Sequence, residues 1–188
     1  DPHEIANVSG IEGIKYMLES SKRVPLDDFV MIPSCVPATA FETSGHIITA
    51  DDIDSLKDEK GILGLGEVMN YPGVIYGDKE MHKKINVMEH YVKDGHAPNV
   101  WDHELNAYCV TGIKTDHECT TVEELNEKVK RGMYIHLREG SATRNVSVLS
   151  KGVTNANSRR LLFCTDDKHP EDIKKEGHIN YNIKLAIK

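Results

Sequence analysis

GILGLGEVMN, residues 61–70, sets an apolar run around a single carboxylate, Glu67. Burying that carboxylate is costly unless it is paired or holds a metal, so the run reads as a core strand with a functional tip. It passes into Tyr71-Pro72-Gly73, a turn, and then into a segment of helical period. The same sequence of apolar run, polar tip and helical segment recurs along the chain. FVMIPSC (29–35) precedes it, and VKDGHAPN (92–99), VTGIKTDHE (110–118), MYIHLREGS (133–141) and LLFCTDDKHP (161–170) follow. Strands alternating with helices define parallel βα units.

The spacing narrows the architecture. Cys35, Glu67, His96, His117, Arg138 and Asp166 mark successive strand tips, 21 to 32 residues apart. A (β/α)8 barrel of about 250 residues uses roughly 30 per unit, so the expected class is α/β, an incomplete TIM-type barrel. A doubly wound open sheet shares the rhythm, but its nucleotide-binding signatures, G-x-G-x-x-G and G-x-x-x-x-G-K-[ST], are absent. The chain opens on DPHE, a polar cluster of the kind that ends a strand. Residues 1–188 are therefore expected to form one partial barrel, strands three to eight with their helices, preceded by the end of strand two.

Helix signals fill the intervals. Met81, Ile85, Met88 and Val92 share one helical face, predicting a helix between Asp78 and Lys93. Thr121 and Glu124 form a T-x-x-E capping pattern, and Gly132 sits where a C-terminal cap belongs. Ser9–Glu12 and Thr49–Asp52 mark two further helix starts.

Composition excludes several classes of function. With 188 residues, 39% hydrophobic and 28% charged, the chain is an ordinary globular one, and a net charge of -7 leaves no basic face for nucleic acid. No stretch is apolar enough to span a bilayer and no secretory signal opens the chain. The four cysteines are scattered without a C-x-x-C pair, so a reducing cytoplasm is the default location.

In a barrel the strand tips converge, which gathers Glu67, His96, His117 and Asp166, with Asp1, His3 and Glu4 at the edge. Imidazoles mixed with carboxylates suit zinc, manganese or iron(II). Structural readings compete at several positions. Asp167 fits a helix cap, Arg138 and Glu139 fit a surface ion pair, and Asp116 to Glu118 fit a charged loop. His46, His82 and His90 fit solvated positions.

Taken together, DPHEIANVSGIEGIKYML, MIPSCVPATAFETSG, LGLGEVMNYPGV, DGHAPN, TDHECTTVEE, GMYIHLREGSATRN and TDDKHP with EGHIN resemble the bacterial and archaeal adenine deaminases, metal-dependent members of the amidohydrolase superfamily. The resemblance implies hydrolytic deamination of adenine to hypoxanthine and ammonia by metal-activated water. It implies a binuclear divalent metal site (manganese, iron(II) or zinc) with Glu67, His96, His117 and Asp166 as ligands. Asp166 would also move protons, Asp1 and Glu4 would assist catalysis, and His3, Arg138 and Ser141 would contact the base. The family's H-x-H pair, upstream of DPHE, is not in this sequence, so another cyclic-amide or amidine amidohydrolase, or a non-catalytic barrel fragment, stays open. Edge strands left by an incomplete barrel predict a homo-oligomer.

Overall fold

Each of the six apolar runs contains a strand. The computed structural model describes residues 1–187, and its backbone falls into two units. The first holds Asp1–His96 and Val110–Ile113, the second Ala97–Cys109 and the chain from Lys114 onward. In order, the first unit contains α1 (His3–Ser21), β1 (Val30–Pro33), α2 (Ala50–Leu56), β2 (Ile62–Val68), α3 (Tyr71–Ile75), α4 (Lys79–Val87) and β3 (Val92–Gly95). Here β2 pairs with β1 and with β3, both in parallel.

Its helices start where side chains can satisfy the free N–H groups. The Thr49 side chain accepts from the Asp52 amide while the Asp52 carboxylate takes the Thr49 N–H, a full capping box with aspartate in the glutamate's place. Asp78 accepts the Met81 N–H at 2.8 Å and starts α4. Met81, Ile85 and Met88 are buried as their spacing requires. The expected helix nevertheless ends at Val87, because Val92 pairs with Gly64 in the β2–β3 ladder. Strand pairing there overrides the helical period. Helix α1 begins at His3, and the Ser9–Glu12 signal marks a break within it at Gly10 (φ 60°). A Cβ at Gly10 would lie 2.5 Å from the His46 ring, so one face of His46 packs on α1 while its side chain stays 40% exposed. His82 likewise bonds the Val74 carbonyl through Nε2 at 2.9 Å.

The second unit contains α5 (Asp102–Val110), β4 (Thr115–Asp116), α6 (Val122–Lys130), β5 (Tyr134–Arg138), α7 (Val146–Leu149), β6 (Leu161–Cys164), α8 (Pro170–Glu176) and α9 (Ile179–Ile187). β5 pairs in parallel with β4 and with β6. The run read as a strand from Val110 keeps only two residues of strand, since Val110 closes α5 and Gly112, at φ 87°, turns the chain. Leu105, Tyr108, Leu125, Ile135, Leu137, Val146 and Leu149 form the core. Thr121 caps α6 by accepting the Glu124 N–H, and Gly132 ends that region at φ 84°.

The cap of α8 is His169, not Asp167, because Pro170 takes the first helical position and fixes the boundary. With β1–β2, β2–β3, β4–β5 and β5–β6 all paired in parallel and in chain order, the architecture is α/β and consistent with consecutive βα steps of an incomplete TIM-type barrel. Among the described residues, no helix is long and apolar enough to cross a membrane.

Candidate metal site

In the first unit the site is built around Glu67. The β2–β3 register shifts between Leu65 and Val68, and Glu67 itself adopts φ 35°, a conformation non-glycine residues avoid. The irregularity re-aims its side chain at the strand tip. Ser34 at the end of β1 holds the Glu67 carbonyl by donating from Oγ at 2.6 Å. The Glu67 carboxylate lies 3.3 Å from Nδ1 of His96, one residue past β3.

The DPHE segment reaches the same place. The Asp1 side chain is 1% exposed and rests on Gly66, where a Cβ would come within 2.7 Å of it. His3 lies between two acids, with Nδ1 2.8 Å from Asp1 and Nε2 3.2 Å from Glu4. Donor atoms of Asp1, His3 and Glu67 fall within 4.8 Å of one another. The Glu4 carboxylate is 71% exposed and faces solvent.

The second unit presents its own donor set. His117, Glu118 and Asp166 offer ligand atoms within 4.8 Å of one another, from the tips of β4 and β6. Asp166 sits at φ 52°, a second strained residue at a strand tip. Arg138, the last residue of β5, is buried and donates from Nη1 to Asp166 at 2.8 Å and to Glu118. Burial alone would depress the pKa of its guanidinium, but the hydrogen bond and charge of Glu118, with Asp166 behind, raise it. Arg138 Nε is buried without a hydrogen-bond partner.

Arg138 and Glu139 do not form the surface pair considered above. Consecutive strand residues point to opposite faces, so Arg138 meets Glu118 and Asp166 while buried Glu139 accepts the Val146 N–H at 3.2 Å. Ser141 is tied to α8: its hydroxyl accepts the His169 N–H at 2.9 Å and donates to Asp172 at 2.5 Å. Nor do Asp116 and His117 lie in an exposed charged loop, since both are buried. Sequence reasoning missed Ser34 and Lys128 and gave Glu124 only a capping role; all three are buried. The one available signal was their polarity at positions whose spacing faces the core.

Imidazole and carboxylate donors in both units fit a divalent cation of the zinc, manganese or iron(II) kind, and no cysteine joins either set. Burial instead pushes the Cys119 thiol up, keeping it protonated. The chain belongs to the amidohydrolase family, which residues 1–178 match, and that family is metal-dependent. Over the whole chain it is 56% identical to an adenine deaminase of Clostridium acetobutylicum and 51% identical to adenine deaminase 2 of Carboxydothermus hydrogenoformans. It is 47% identical to an adenine deaminase of Methanoculleus marisnigri. The chain spans 33%, 33% and 36% of the length of these three relatives, about a third of each.

Proposed function

We propose that the chain forms part of an adenine deaminase and contributes its strand tips to the hydrolytic deamination of adenine to hypoxanthine and ammonia. The observation that carries this reading is 56% identity to a relative of that name along the entire chain. Glu67, His96, His117 and Asp166 would hold divalent metal, a binuclear site of manganese, iron(II) or zinc in the full-length protein. When bound, such cations supply Lewis acidity that brings the ionisation of water toward neutral pH.

The remaining steps fall to side chains. Asp166, 27% exposed and oriented by Arg138, accepts the proton of the attacking water and passes it to the departing amine. Glu4, open to solvent, protonates a ring nitrogen, and His3 between Asp1 and Glu4 orients that acid and the base. Arg138 contacts the base from the β5 tip beside Asp166, whereas Ser141 acts through the loop it ties to α8. Residues 1–188 serve as one partial barrel in this reading, in a cytoplasmic enzyme. Its β1 and β6 edges would be covered by the remainder of the full-length chain or by a second copy.

The test is ammonia release from adenine by the purified full-length protein loaded with manganese, iron(II) or zinc, beside the 188-residue chain alone. Turnover of adenine is the expected result. Turnover of cytosine or dihydroorotate without adenine would replace the substrate with another amidohydrolase's, and failure of either protein to bind metal would remove the site. Sedimentation of the 188-residue chain should show self-association, and a strict monomer would refute that part.

A further inference from the structure

The second unit also seals a cation between two carboxylates. Lys128 on α6 is fully buried and donates from Nζ to Asp116 at 3.0 Å, to Glu124 at 2.9 Å and to the Ala97 carbonyl at 2.8 Å. All three ammonium donors are thereby used. The carboxylates have further partners. Asp116 accepts the N–H of Ala97 and the N–H of Glu118, each at 2.8 Å. Glu124 accepts the N–H of Asn99 at 2.9 Å and that of Thr120 at 3.2 Å. Four backbone amides thus converge on one ion triad, and two of them belong to the residues directly after His96 and His117.

Stability alone is a weak explanation. Well-packed apolar side chains can replace a buried ion cluster with little loss or even a gain. Apolar side chains cannot, however, accept four N–H groups. The need is local: β4 has only two strand residues, so its ladder gives little purchase on the tip that carries His117. The segment after His96 leaves its strand at Gly95 and has no ladder at all.

We propose that the Lys128–Asp116–Glu124 triad is a positioning device that fixes the backbone following His96 and His117, so that both imidazoles are set for metal before one binds. The inference rests on the metal-ligand role proposed for those histidines. The three triad residues touch neither metal nor substrate; they act through Ala97 and Glu118.

Hydrogen exchange on metal-free full-length protein tests this without any substitution. The Ala97 and Glu118 amides should exchange as slowly as the β5 core amides, and metal should change their rates less than about twofold. Rapid exchange that slows only when metal is added would overturn the proposal. A second arm replaces the whole triad, Asp116→Leu with Glu124→Gln and Lys128→Met. This variant should unfold cooperatively yet bind cobalt(II), read by its visible absorption, about 10- to 100-fold more weakly than wild type. A folded variant with unchanged cobalt affinity refutes the idea, and should the variant fail to fold, the exchange rates decide. Wild-type protein that binds no cobalt removes the metal reading and this inference with it; normal wild-type binding with an unaffected variant removes the inference alone.

Discussion

The second unit contains the same charges twice, one cation between two carboxylates, and treats them in opposite ways. Lys128 with Asp116 and Glu124 is sealed, every ammonium donor used and the carboxylates filled by backbone amides. Arg138 with Glu118 and Asp166 lies at the strand tips beside His117, with Arg138 Nε unused and Asp166 at φ 52° and 27% exposed. Residue type does not separate the two clusters. Exposure does: the Lys128 cluster is closed on every side, while Asp166 keeps a carboxylate partly open to solvent, as the role proposed for it requires.

The sharpest way to break the comparison is at Asp166. Asp166→Asn keeps the shape and one acceptor but removes the proposed proton acceptor, so the proposed deamination by the full-length protein should fall about a hundred- to ten-thousand-fold with almost no change in thermal midpoint. A large loss of stability with activity retained would reverse the assignment of the two clusters. Lys128→Met should do the opposite to stability. It leaves two buried carboxylates, Asp116 and Glu124, without their cation, and urea denaturation should show a loss of about 3–5 kcal/mol.

Arg138→Met falls between them, because Asp166 can recover solvent. A stability loss of about 1–3 kcal/mol is expected, together with a change in kcat larger than any in KM. Equal losses for the Lys128 and Arg138 variants would erase the distinction drawn here.

Lys84 extends the comparison to a buried cation without a carboxylate partner. Its ammonium bonds the Ser34 carbonyl at 2.9 Å, and burial lowers its pKa below 10.5 despite the nearby charges of Cys35 and Glu80. A lysine with a depressed folded-state pKa favours folding more once both states are neutral. Stability should therefore rise as pH climbs through that depressed value toward 10.5. Lys84→Met should flatten this rise in denaturation curves recorded against pH. A fall over the same range in the wild type would contradict the sign. The smallest effect is reserved for Thr49→Ala in the first unit, which removes one half of a capping box at about 1 kcal/mol in the same denaturation assay.

Much of the fold was legible because strand runs and caps are local. The six apolar runs, the Thr49 box, the Thr121 cap and the Gly132 terminus follow from neighbours a few residues apart. Errors came where a distant partner decided. Val92 left the helical pattern to pair with Gly64, and Glu139 turned to the Val146 amide rather than joining Arg138 at the surface. Asp116 looked like part of a charged loop because two of its partners, Lys128 and the Ala97 amide, lie 12 and 19 residues away.

The order of strands and helices, the family and the set of strand-tip imidazoles and carboxylates were thus determined by the sequence itself, since each rests on residue type and short-range period. Which carboxylate is sealed and which stays open was decided only by tertiary structure. The availability of a charge depends on how many donors surround it and how exposed it is, and both depend on partners as far as 31 residues away in the chain.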